Sequence, residues 1–304
     1  MTTTHPAPHR GTAEEPGRRL SPSPQRDRGW RTLITLLGAA VLLLALLTLA
    51  AASVTGWWLG RGYDDIPATL ELGTPESLTL SSGVGDVQVL ASSDVEEVTL
   101  ALVEDGVTSL PAPDATARAR ITQHGGSTAP IVDVRQSDGY GPVPWQDEHQ
   151  DVLVLIPLGH RLALDLTTDV GGIRADGDFS ALVLTSSVGD VRLDEVSVTD
   201  SLRLRADVGD VEAVLSGASP TSAEVTAAVG NVEMRLPSDA GSDVRIDAEL
   251  GEVEISLPGT GRWDVEARTE LGETRIEPEV TGAPGPVVGA LTVTSEMGDL
   301  YIGR

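Results

Sequence analysis

The chain of 304 residues has no cysteine, which excludes disulfides, thiolate catalysis and thiolate metal ligation. That absence is neutral on compartment, because many exported bacterial proteins also lack disulfides. Lysine is missing as well, so all 21 basic residues are Arg. One Phe, three Tyr and five Trp leave the core to Val, Leu, Ile and Ala, which suits narrow stacked strands. Positive charge is scarce. Residues 61–304 carry a balance of −28 against +3 for residues 1–60. No basic footprint exists for a nucleic acid, whereas strong negative charge keeps an exposed domain soluble. The five histidines are scattered without zinc spacing. His124-Gly125-Gly126 superficially matches an oxyanion loop, but no G-x-S-x-G elbow accompanies it.

What the sequence does contain is a recurring phrase: an apolar residue, Gly, an acid or amide, then usually another apolar residue. It reads Val84-Gly85-Asp86-Val87, Val188-Gly189-Asp190-Val191, Val208-Gly209-Asp210-Val211 and Val229-Gly230-Asn231-Val232. It continues as Leu250-Gly251-Glu252-Val253, Leu271-Gly272-Glu273-Thr274 and Met297-Gly298-Asp299-Leu300, with Val170-Gly171-Gly172-Ile173 a degenerate copy. From Gly171 the glycines are 18, 20, 21, 21, 21 and 26 residues apart. A period near 20 marks a solenoid, one coil per repeat. Apolar residues alternate with polar ones on both sides of each phrase, as in Leu202, Leu204, Ala206, Val208 and then Val211, Ala213, Leu215. Each coil therefore holds two half-buried strands joined by a two-residue corner.

Two positions before the apolar corner residue stands always a small one: Ser82, Thr168, Ser186, Ala206, Ala227, Ala248, Thr269, Ser295. Inward side chains converge where two strands bend around a corner, so only small ones fit. Equivalent strands of successive coils are expected to stack in parallel, ~4.8 Å apart. Pro237, Gly241, Pro258, Gly259 and Gly261 punctuate the opposite corner.

Residues 1–29, rich in Pro, Ser, Thr and Arg, read as a disordered tail. Residues 30–58 read as a transmembrane helix. Thr32–Val54 carries no charge over 23 residues and reaches about 35 Å at ~1.5 Å per residue, enough to cross a bilayer. Trp30, Trp57 and Trp58 flank it as interfacial aromatics, and the uncharged run exceeds a signal-peptide core. Arg18, Arg19, Arg26, Arg28 and Arg31 precede the span while only Arg61 closely follows. This predicts a single-pass plasma-membrane protein, N-terminus cytoplasmic and C-terminal domain extracytoplasmic. Residues 59–75 read as a linker and 76–304 as the solenoid. Within it, 161–304 are regular coils and 95–160 a capping insertion with strand-like runs at Val98–Val103, Ala117–Ile121, Ile131–Arg135 and Val152–Ile156. The loop Glu277–Gly289 is expected to fold back over the far end.

The tandem apolar-Gly-Asp-apolar corners, the strand insertion and the preceding anchor resemble the bacterial "putative adhesin" family, a toastrack-like domain of unknown function. The resemblance covers roughly residues 70–304. It implies a β-solenoid outside the bacterial membrane, associated with adhesion or envelope stress, and supplies no catalytic residues.

The fold class expected is thus all-β, a parallel β-solenoid with an N-terminal β-sheet cap. No cofactor is implied. Asp190, Asp210, Glu252, Glu273 and Asp299 form a candidate cation ladder with Asn231, since carboxylates ~4.8 Å apart repel by about 0.9 kcal/mol in water. One carboxylate per coil nevertheless falls short of the ~6–8 oxygens calcium takes, and the simpler reading is that these residues accept turn N–H groups. Tyr140 and Trp145, on the loop Asp138–Gln150, are candidate contacts for a protein or glycan partner; packing back onto the cap is the plainer role for Trp145. The functional expectation is a binding, scaffolding or adhesin-like surface module without catalysis. The alternatives are a carbohydrate-active β-helix enzyme and an envelope-stress or ligand sensor. The outward residues Arg203, Arg205, Glu212, Glu233, Arg235, Arg245 and Glu254 mix both signs, which favours a solvated face with cross-strand pairs over a catalytic cluster.

Overall fold

The computed structural model describes residues 63–136, 150–238 and 241–304. Thr32–Val54, Tyr140 and Trp145 lie outside the described residues. The described chain opens with β1 (Asp64–Pro67) and β2 (Thr69–Glu71), then a first coil of β3 (Ser77–Val84) and β4 (Val87–Ser92). Next come β5 (Thr99–Val103), β6 (Thr116–Gly126), β7 (Ala129–Gln136) and β8 (Asp151–Pro157). The regular part runs β9 (Leu162–Val170), β10 (Ile173–Ala175), β11 (Asp178–Val188), β12 (Val191–Val208), β13 (Val211–Leu215), β14 (Ser222–Val229) and β15 (Val232–Arg235). It continues with β16 (Asp243–Leu250), β17 (Val253–Ser256), β18 (Arg262–Leu271), β19 (Thr274–Ile276), the helix α1 (Pro278–Gly282), β20 (Val287–Met297) and β21 (Leu300–Gly303).

These strands form two facing sheets. One runs β1–β6–β7–β3–β9–β11–β12–β14–β16–β20–β18. The other runs β2–β5–β8–β4–β10–β12–β13–β15–β17–β21–β19. From β7 and β8 onward every pairing is parallel, giving a β-solenoid with two strands per coil. β12 belongs to both sheets and changes from one to the other between Val196 and Ser197, just after Glu195, the one described non-glycine residue with positive φ, 51°. At the near end β1, β2, β5 and β6 pair antiparallel beyond the last parallel coil. Residues 59–75, expected as a linker, thus contain two paired strands. Their Asp, Gly and Pro content hid the alternation of Ile66, Ala68, Leu70 and Leu72, of which Ala68 and Leu72 are buried.

The inward residues of both sheets form one apolar column along the axis, Leu78 and Val87 through Leu202 and Val211 to Leu291 and Leu300. Phe179, the only Phe, is fully buried where the β9–β11–β12 register shifts. The small corner positions Ser82, Thr168, Ser186, Ala206, Ala227, Ala248 and Ser295 are all buried, as the convergence of strands at a bend requires. The apolar corner residue differs from the alternation expected of it. Val208 follows Leu202, Leu204 and Ala206 in phase, yet it is 49 % exposed, because the chain bends there and swings the side chain off the core.

Two coils are out of sequence order. β20 and β21 insert between β16–β17 and β18–β19, so the spatial order of the final corners is Gly251, Gly298, Gly272. Sequential stacking, the expectation from the even repeat, is corrected at this point. The near end mirrors it, with β3 and β4 lying between β7–β8 and β9–β10. In both cases the first or last coil of the described chain is paired on its two sides, and an internal segment forms the outermost parallel coil. A strand held by two ladders frays less readily than one held by a single ladder.

The segment Glu277–Gly289 does reach the far end, as a short helix and the start of a strand. Val280 of α1 is fully buried there. Arg304 then locks the inserted coil. Its guanidinium donates to the carbonyls of Leu257, Gly259, Gly261 and Glu279, and its backbone N–H to Glu277 Oε2 at 3.0 Å. The Tyr301 hydroxyl donates to the other Glu277 oxygen at 2.6 Å, and the two bonds hold the Glu277 carboxyl below its usual range.

At the corners, Gly230 has φ 146°, and a Cβ on it would overlap the carbonyl oxygen of Gly209. Gly106 has φ 72° but open space around it. Gly230→Ala is expected to cost about 3 kcal/mol or more, strain and overlap combined, and Gly106→Ala about 1 kcal/mol. Chemical denaturation of the two variants measures the difference.

Candidate functional site

The corner column is the most regular feature on the surface, and its geometry follows from backbone pairing. Each corner Gly donates to the carbonyl of the apolar residue in the next coil, as Gly189 does to Val208 and Gly209 to Val229, both at 2.9 Å. The residue after each acid donates to the next coil's acid carbonyl, as Val191 does to Asp210 at 2.9 Å. The side chains then add a third ladder. Asp86 Oδ1 accepts the Gly172 N–H at 2.7 Å, Asp190 that of Asp210 at 2.9 Å and Asp210 that of Asn231 at 2.7 Å. Asn231 accepts from Glu252 at 2.9 Å and Asp299 from Glu273 at 2.8 Å. Among the described residues Glu252, one methylene longer than Asp, makes no such bond to Asp299, and Glu273 stands in the outermost coil, where no further corner N–H follows.

The candidate cation ladder is changed by this. Asp299 stands between Glu252 and Glu273, not after them, and Asp190, Asp210 and Asp299 each spend an oxygen on a backbone N–H. Among the described residues no three His, Asp or Glu side chains converge as a metal site would require.

Sequence reasoning missed how the ladder ends. In the outermost coil β7–β8, Gln136 occupies the position of the apolar corner residue and is buried. Its Nε2 donates to Val84 O at 3.2 Å, taking the place of a corner Gly, and its Oε1 accepts the Gln150 N–H at 2.9 Å. Asp151, 5 % exposed, accepts from Asp86 N at 3.1 Å, Gln88 Nε2 at 3.3 Å and Gly106 N at 3.1 Å. Both residues read in sequence as ordinary polar loop positions. Only the stacking reveals that they complete it.

The outer faces carry paired charge. Arg203 meets Glu224 at 2.9 Å, Arg192 meets Glu212 at 2.6 Å, Arg174 meets Asp194 at 2.5 Å and Arg245 meets Asp247 at 2.8 Å. Arg205 pairs with Asp207, Arg268 with Glu266, and Arg135 with Asp133 and Asp169. A shallow groove of about 570 Å³ lies over the ends of β12, β14 and β16, lined by Ser201, Arg203, Glu224, Asp243, Arg245 and Thr292. Its two arginines are already neutralised by Glu224 and Asp247, so it presents no convergent acid–base group. Asp176 is the one described carboxyl held above its usual range, by burial first and then by Asp194 and Glu195, but it lies apart from that groove. The outward Glu212, Glu233 and Glu254 sit in register on successive coils beside Arg192. This is a flat ladder, unlike the cleft an enzyme of this architecture would need.

The family model described as Toastrack DUF4097 matches residues 161–283, the stretch that holds β9 through α1. Its fold is a β-solenoid, in agreement with the geometry above. No curated protein matches the sequence. Solved structures are similar as well, two of them as follows. One is a "putative cell adhesion protein" from Clostridium sporogenes, at 13% identity and TM-score 0.34, covering 79% of this chain and 99% of that one. The other is a "putative adhesin" from Bacteroides fragilis, at 14% identity and TM-score 0.42, covering 79% and 97%.

Asp210→Ala removes the acceptor for the Asn231 N–H and is expected to cost about 1–2 kcal/mol, whereas Glu252→Ala is expected to stay within about 0.5 kcal/mol. Thermal melts compare the two, and millimolar calcium is expected to leave the wild-type melting temperature unchanged.

Proposed function

We propose that the chain is a single-pass membrane protein that presents this acidic solenoid outside the cell as a binding or scaffolding module, adhesin-like rather than catalytic. The observation that carries the non-catalytic part is the pairing of outward charge: Arg174, Arg192, Arg203, Arg205 and Arg245 are each met by a carboxylate, and among the described residues no three His, Asp or Glu side chains converge. The uncharged run Thr32–Val54, with arginines concentrated before it, supports the anchor and the orientation. A long, stiff stack of parallel coils suits display, because it offers repeated positions at fixed spacing along its sides. Tyr140 and Trp145 remain candidate contacts for a protein or glycan on this reading.

An alkaline phosphatase reporter fused after Arg304 tests topology. Activity in intact cells, with loss of signal when residues 32–54 are deleted, is the expected result. Activity of a cytoplasmic reporter at the same position would reverse the orientation.

A further inference from the structure

The corner ladder leaves an apolar ridge on the surface. Val170, Val188, Val208, Val229, Leu250, Met297 and Leu271 stack in that order, each 43 % to 62 % exposed. The ridge changes character over its last three coils. Upstream the corner residue is Val; here it is Leu250, Met297 and Leu271, larger and free of branching at Cβ. In these coils an acid precedes the apolar residue and another follows the Gly: Glu249-Leu250-Gly251-Glu252, Glu296-Met297-Gly298-Asp299 and Glu270-Leu271-Gly272-Glu273; upstream Asp207-Val208-Gly209-Asp210 alone shares this, and there Asp207 is paired with Arg205. In sequence the Met297 copy comes last. The inserted coil places it between the other two, at the centre of one continuous patch. Among the described residues none of the six carboxylates takes part in an ion pair, whereas Asp207, Glu212 and Glu224 do.

We propose that this patch is a docking site for a basic amphipathic helix of a partner protein, with an apolar seam bordered on both sides by Arg or Lys. The three apolar side chains rise ~4.8 Å apart, close to the ~5.4 Å per turn of a helix lying along the ridge. Rows of uncompensated carboxylates on both borders select cationic groups. They also repel an anionic lipid surface and a second copy of this acidic chain set ridge to ridge. Met297 at the centre adapts to more than one apolar partner. The proposal rests on the corner geometry alone and not on the surface placement proposed above.

The test uses the full chain in a zwitterionic detergent and a labelled helical peptide of Leu and Lys, Leu along one face and Lys on both borders, followed by fluorescence anisotropy. Leu250→Ser, Met297→Ser and Leu271→Ser combined are expected to weaken binding roughly tenfold, about 1.4 kcal/mol. Val188→Ser with Val208→Ser is expected to change it less than about twofold, within a few tenths of a kcal/mol. Glu249→Gln, Glu296→Gln and Glu270→Gln combined leave the apolar contacts in place, and are expected to weaken binding and flatten its salt dependence. Equal losses from the upstream and downstream variants would overturn the proposal. So would equally tight binding of a Ser-for-Leu peptide of the same charge, an undiminished affinity of the glutamine variant, or self-association of the chain without peptide binding.

Discussion

Everything in this structure depends on backbones approaching to hydrogen-bond distance at a corner, coil after coil. The corner glycine sits directly over the carbonyl of the glycine in the neighbouring coil, at φ near 140–151° from Gly171 on. A side chain at that position would force the coils apart and break both corner ladders. The Asp and Asn side chains add an acceptor for the N–H that the bend leaves outside the strand ladders. Small residues two positions earlier allow the inward chains to converge. The motif that looks at first like a ligand loop is the place where the fold is built. The opposite corner, free of this constraint, absorbs the variation in repeat length from 18 to 26 residues.

That division explains why the solenoid was legible in the sequence. A corner that tolerates only Gly, flanked by period-two alternation, leaves the same mark in every coil. The spatial order of coils left no such mark. Thr274 and Leu300 follow equivalent corners, and either could pair next to β17; what decides is the reach of Glu277–Gly289 across the end and the Arg304 clasp on four carbonyls, long-range contacts that repeat spacing does not encode. Gln136 and Asp151 were equally silent, because their role exists only relative to a neighbouring coil. The strands at 64–67 and 69–71 are too short for periodicity to speak.

The surface follows from the same corner. A bend that points one apolar side chain per coil outward creates a ridge, and coil order determines which chemistries meet along it. Leu250, Met297 and Leu271 lie apart in the chain by unequal steps, and the inward threading of the last coil sets Met297 at the centre of the three. The faces, with ion pairs both along and across strands, are solvated walls; such exposed pairs contribute little to stability, and the excess of carboxylates leaves the walls acidic.

The threading of β20 and β21 is the claim on which both the clasp and the order of the ridge stand. The chain has no cysteine, so paired substitutions report on it without background. Leu250→Cys with Met297→Cys, and Leu271→Cys with Met297→Cys, place thiols on adjacent coils, within the ~4.4–6.8 Å Cα range of a disulfide, whereas Leu250→Cys with Leu271→Cys places them about two coils apart. Under mild oxidation the first two pairs should crosslink within the monomer and the third should not. Rapid crosslinking of Cys at 250 and 271, with none between 250 and 297, would show sequential stacking and contradict the account.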